Sequence, residues 1–98
     1  MFRSLDYYVA QIRSGNESVF NSLFYFRRDN NGSSNMYFRN QEVSHVYREK
    51  KAHANSQNFE SEFLYVLVNI LRLLAHDNLQ HQQLKDEFYH QFNQISIS

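Results

Sequence analysis

Residues 59–75 read FESEFLYVLVNILRLLA. At about 100° per residue, Ser61, Glu62, Tyr65, Asn69, Arg72 and the following His76 fall on one narrow stripe, and the remaining positions face a core. So narrow a polar stripe predicts a central helix covered by neighbours on most sides. Asn58, followed by Glu60 and Glu62, marks its start, because a short polar side chain can cap the free amides and acids suit the positive end of the helix. Around Asp77-Asn78 the helix either stops or runs on into a last one.

Outward from this centre, Leu84, Phe88, Phe92 and Ile95 repeat at helical spacing, which makes the C-terminal segment amphipathic, with residues 95–98 expected as a frayed tail. Upstream, Asn55-Ser56-Gln57-Asn58 separates the central helix from a third one beginning near Asn40. Its apolar positions, Val43, Val46, Tyr47 and Ala54, are few, so a peripheral place is expected. At the N-terminus Ser4 caps a helix bearing Leu5, Tyr8, Val9 and Ile12, and Ser14-Gly15 stops it. Asn16 then opens a second helix with Val19, Phe20, Leu23 and Phe24 on its apolar face, forming a helical hairpin with the first.

Between residues 24 and 39 two readings stay open. The loop Asp29-Asn30-Asn31-Gly32-Ser33-Ser34-Asn35 lies between the aromatic runs Phe24-Tyr25-Phe26 and Met36-Tyr37-Phe38. Rings flanking an Asn-Gly turn spell a β-hairpin, whereas the first run also continues a helical period, and that period favours a helix followed by a loop. The expected architecture is therefore mainly α, a single domain over residues 1–98 built as a compact bundle of four to five helices, with a short β-hairpin around residues 24–39 as the alternative to helix and loop. Phe20, Leu23, Phe24, Phe63, Leu67, Ile70, Leu71, Leu74, Phe88 and Phe92 are the expected core.

A chain of 98 residues buries roughly 60–70% of its extended surface, enough for one core and little room for a deep active site. Ten basic and ten acidic side chains balance, but unevenly along the chain. Residues 24–51 carry six basic against three acidic side chains, a net of +3, and residues 52–98 carry two against five, a net of −3. Cysteine is absent, which excludes disulfides and thiolate chemistry and suits a reducing cytoplasm. No apolar run resembles a signal peptide, and Asn69 and Arg72 interrupt the central helix short of a membrane span, so a soluble cytoplasmic protein is expected.

Chemistry leaves few marks. Both glycines sit at a helix stop or in a loop, leaving no phosphate cradle, and no nucleophile–base spacing or paired carboxylates stand out. His76 and His81 lie about 140° apart on a helix and cannot clamp one ion there, while Asp77 and His81 are spaced as a surface pair. His45 and His53 are expected in solvent. Neither cofactor nor metal is expected, and an enzyme is the least expected class.

Two functional readings follow. The first is a non-enzymatic protein-interaction module, a small adaptor, inhibitor or regulator, with Tyr65, Asn69 and Arg72 as partner-binding residues on the polar stripe. Self-association is part of this reading, since a homodimer could bury Tyr65 and the rings of the Phe88 to Phe92 segment. The second is a transcription-related nucleic-acid binder in which Tyr25, Tyr37 and Tyr47 stack on bases while Arg27, Arg28, Arg39, Arg48, Lys50 and Lys51 follow phosphates.

Ile12-Arg13-Ser14-Gly15-Asn16-Glu17-Ser18-Val19-Phe20-Asn21-Ser22-Leu23-Phe24 resembles the opening helical hairpin of small bacterial sigma factors of the extracytoplasmic-function type. Gly15, Glu17, Phe20 and Leu23 match that family's pattern, while Asn16 and Val19 replace its commoner Asp and Ala. The acidic Gln-Glu segment that docks such factors on polymerase does not follow Phe24, and there is no room for their second DNA-reading domain. The resemblance thus implies a truncated or diverged relative, a regulator touching polymerase or a sigma-like partner.

Overall fold

The computed structural model describes residues 2–97. Helix α1 (Leu5–Arg13) begins where the Ser4 hydroxyl accepts from the Tyr7 amide at 3.2 Å, and just past its end Gly15 takes the left-handed conformation at φ +89°. The second helix is far shorter than its apolar period predicts. A 3₁₀ turn over Glu17–Val19 passes into the single turn α2 (Phe20–Leu23), and the chain straightens at Phe24.

Of the two readings of residues 24–39, the β-hairpin is the one formed. Strand β1 (Phe24–Arg28) pairs antiparallel with β2 (Ser34–Phe38), placing Phe24 opposite Phe38, Tyr25 opposite Tyr37 and Phe26 opposite Met36. Ring residues fit a pleated surface better than a helix turn, and the pairing puts Met36 and Phe38 in the core. The Asp29 carboxylate closes the turn by accepting from the Asn31 and Ser33 amides, each at 2.9 Å.

Asn40 starts helix α3 (Gln41–Ala52). Its side-chain oxygen accepts from the Val43 amide at 2.9 Å while its Nδ2 donates to the Arg3 carbonyl at 2.9 Å, so one buried residue caps α3 and pins the N-terminal segment. The helix is not peripheral as expected: its few apolar residues share one face, and Val43, Val46 and Tyr47 are all buried. Helices α4 (Phe59–His76) and α5 (His81–Asn93) follow, α4 packing on α1 and α5. Phe63 sits where these elements meet, its ring in contact with Phe38, Tyr47, Phe59 and Phe92 at centroid distances of 5.5, 5.2, 5.9 and 5.4 Å.

The polar stripe of α4 is exposed as expected, but its covering is thinner than the stripe implies. Tyr65 is 73% and Leu73 46% exposed, and Leu64, Val66 and Val68 are half-buried, because α1 and α5 leave one flank open. Of the expected core, Phe20 and Phe24 are only half-buried, lying where the chain leaves the helix; the other eight residues are buried. The expected frayed tail is instead docked as far as residue 97. Ile97 is buried and the Lys50 Nζ donates to the Ile95 carbonyl at 2.8 Å; Ser98 lies outside the described residues. Among the described residues no helix is long and apolar enough to cross a membrane.

Candidate interaction surface

The hairpin's hydrogen-bond parity decides what it offers. The Arg39 amide donates to the Leu23 carbonyl at 2.7 Å and the Asp29 amide to the Ser33 carbonyl at 2.8 Å. Both pairs share the register of the strands, so the bonded pairs are the odd residues of β1, Tyr25 with Tyr37 and Arg27 with Asn35. The amides and carbonyls of Phe24, Phe26 and Arg28 therefore point away from β2. On the other side of the hairpin, α3 lies along β2 and Ser44 donates its hydroxyl to the Phe38 carbonyl at 3.2 Å. The Phe38 end of the β2 edge is covered by α3, and the edge of β1 is open.

Alternation also sorts the side chains. Toward the core β1 presents Phe24, Phe26 and Arg28, but Phe26 overhangs the core's rim and is 57% exposed, its ring edge-on to Phe24 at 6.1 Å. On the outer face the Tyr25 and Tyr37 rings stack at 5.7 Å. Each also receives an arginine from across the ladder: the Arg39 guanidinium lies 4.4 Å from the Tyr25 centroid and that of Arg27 5.8 Å from Tyr37. Arg39 is further fixed by donating to the Ser22 carbonyl at 3.0 Å. The four side chains form one Arg–Tyr–Tyr–Arg row, with the rings held between one another and the cations.

Beside this row, Arg48 and Lys51 of α3 line a shallow recess against Asn35, Met36 and Tyr37 that contains no carboxylate. Asp29, the only acid of the hairpin, is held by its own turn. Of the nine residues assigned to a nucleic-acid surface, six are thus gathered here, namely Tyr25, Tyr37, Arg27, Arg39, Arg48 and Lys51, and Arg28 projects on the opposite face of the strand. Tyr47 also lines the recess, but as a buried ring, and Lys50 does not join. Tyr47 is a core ring whose hydroxyl donates to Glu60 at 3.1 Å; burial first, then the Glu60 charge and hydrogen bond, push its pKa well above the usual tyrosine value. Lys50 is turned toward the C-terminal tail.

The second predicted set, on α4, is placed together but largely occupied. Arg72 forks onto Glu17 at 2.9 and 2.6 Å, and that hydrogen bond holds the Glu17 carboxyl below its ordinary range. Asn69 donates to the Tyr65 carbonyl of its own helix at 2.9 Å. All three are exposed, Tyr65 by 73%, and the Tyr65 side chain makes no hydrogen bond among the described residues. Of the α5 rings expected at a dimer surface, Phe88 and Phe92 are fully buried and Tyr89 is half-buried. Nor do Asp77 and His81 pair: Asp77 lies beyond the end of α4, its carbonyl accepting from Arg13 at 2.8 Å, and His81 binds Asp6 through its amide at 3.0 Å and its ring at 3.2 Å. His81 holds φ +39°, a left-handed conformation uncommon for a side-chain-bearing residue, and Asp6 secures it.

Sequence patterning missed Phe26 as a surface residue. Strand alternation would not have found it, since it sets Phe26 on the core side with Phe24; its exposure comes from its place at the rim. No family model matches this chain, and no curated protein or solved structure matches it either.

Proposed function

We propose that the protein is a non-enzymatic interaction module that holds a partner protein on its hairpin. One observation carries this: β1 presents an unpaired backbone edge beside an exposed Phe26 and the Arg27 and Arg28 guanidiniums, which no carboxylate of the hairpin engages. Exposed rings and arginines are the side chains that anchor protein interfaces, and an open strand edge adds main-chain donors and acceptors in fixed register. The absence of cysteine suits a cytoplasmic setting. The likeness of residues 12–24 to sigma factors would put the partner within the transcription machinery.

Nucleic-acid binding is the second reading, favoured by the cations along the hairpin and its recess. Against it stands the Arg–Tyr–Tyr–Arg row, in which the Tyr25 and Tyr37 rings are stacked on each other and each already has an arginine beside it, although Tyr37 stays 42% exposed. Photo-crosslinking from positions 26 and 65, in cells that make the protein, separates these readings. The protein reading expects a protein adduct from position 26, a complex of fixed stoichiometry when both components are purified, and loss of that complex with Phe26→Ser. Adducts only from position 65, or salt-sensitive binding of a single-stranded oligonucleotide with no protein adduct, would overturn it.

A further inference from the structure

The open edge of β1 selects a class of partner. We infer that β1 takes an extended, acidic peptide segment as an added antiparallel or parallel strand, the hairpin becoming a three-stranded sheet. This rests on the reading of the hairpin as a partner site and specifies what that site recognises.

Main-chain geometry is the first argument. Three consecutive outward positions, Phe24, Phe26 and Arg28, each hold an amide and a carbonyl free of the ladder, and β1 has no Pro or bulge that would bar a neighbouring strand. Side-chain chemistry is the second. A strand laid along β1 would set alternate residues beside Tyr25 and Arg27 on the outer face and beside Phe24 and Phe26 on the inner one. The only acid on the hairpin, Asp29, is held in its turn, so Arg27 and Arg28 lack a carboxylate on the hairpin itself. An acidic residue facing outward would meet Arg27, while an apolar residue facing inward would cover the Phe26 ring. The complementary segment therefore alternates acidic and apolar residues.

A second copy of the chain fits this edge less well. It would bring its own Arg27 and Arg28 into the same sheet. The five-residue strand also offers a strip only about 17 Å by 10 Å, a small fraction of the ~800 Å² per partner that a stable dimer buries. A peptide needs no more than such a strip.

The test uses the full chain and a capped peptide of four glutamates alternating with three valines, with glutamine and lysine counterparts and a deoxythymidine decamer as comparison probes. NMR should show amide exchange at Phe24, Phe26 and Arg28 slowing on addition of the glutamate peptide, with Tyr25 and Arg27 little changed because they are already bonded. The glutamine peptide should bind about threefold more weakly, the worth of the one exposed ion pair lost at Arg27. Phe26→Ala and Phe26→Pro both lose the ring but only the second loses the outward donor, at an edge position where proline leaves the ladder to β2 intact. The proline variant should bind about fivefold more weakly than the alanine one. Equal binding of the glutamine or lysine peptide, equal loss in the two variants, or shifts confined to the exposed flank of α4 would overturn the inference. So would protection of the β1 edge in a peptide-free dimer, or ring shifts of Tyr25 and Tyr37 with the decamer alone. Protein adducts from position 26 together with no pairing along β1 would leave the interaction module standing and remove the added strand.

Discussion

Phe63 and Phe26 are the same residue type with opposite tasks. Phe63 is fully buried and touches four other rings, so its loss leaves a cavity that rigid neighbours cannot fill. Phe63→Ala should lower unfolding stability by about 3–5 kcal/mol in chemical denaturation. Phe26→Ser, at a site more than half exposed, should change it by no more than about 0.5 kcal/mol, so any loss of binding in that variant is read without a folding defect. The Glu17–Arg72 fork adds a pH dependence. Because the hydrogen bond from Arg72 lowers the Glu17 pKa in the fold, its contribution is fully present above the ordinary value of 4.5 and fades as pH falls through the lower folded value. Thermal melts of the native chain and Glu17→Gln should therefore differ at neutral pH and converge as the solution is acidified below pH 4.5.

At the scale of elements, the junctions hold more surprises than the helices. Asn40 caps α3, donates to the Arg3 carbonyl and also to Glu42 at 3.3 Å, all while buried. Asn40→Ala removes the cap and strands buried polar groups, which should cost about 1–3 kcal/mol by urea unfolding; Asn40→Asp keeps the cap acceptor but sets a buried carboxylate against the Arg3 carbonyl and Glu42, and should cost at least as much. Helices α1, α4 and α5 were legible because their apolar residues repeat at 3.6 spacing and polar or glycine residues mark several of their ends. The hairpin was legible only as an alternative, since Phe20, Leu23 and Phe24 keep a helical period up to the residue where the strand begins. Nothing local in Val43, Val46 and Tyr47 announces that a weakly apolar helix will lie against Phe59 and Phe63; that follows from tertiary packing. Most of the basic-aromatic set was visible in composition, but its assembly into one row depends on a strand register that side-chain counting does not supply.

For the molecule as a whole, zero net charge conceals a division of labour. Cations collect on the hairpin and the adjoining part of α3, whereas Glu17, Asp6 and the carbonyls at the end of α4 occupy Arg72, His81 and Arg13 on the helical side. The helical layers build a stable platform, and the hairpin at its rim keeps one backbone edge and one aromatic ring uncovered. That open edge is the feature on which both proposals, a partner protein and an acidic strand added to β1, depend. Amide hydrogen exchange of the free protein, read residue by residue by NMR, tests it most directly. Slow exchange at Tyr25 and Arg27 alternating with fast exchange at Phe24, Phe26 and Arg28 is the predicted result. Uniform protection through residues 24–28, as a continued helix or a covered edge would give, would contradict it.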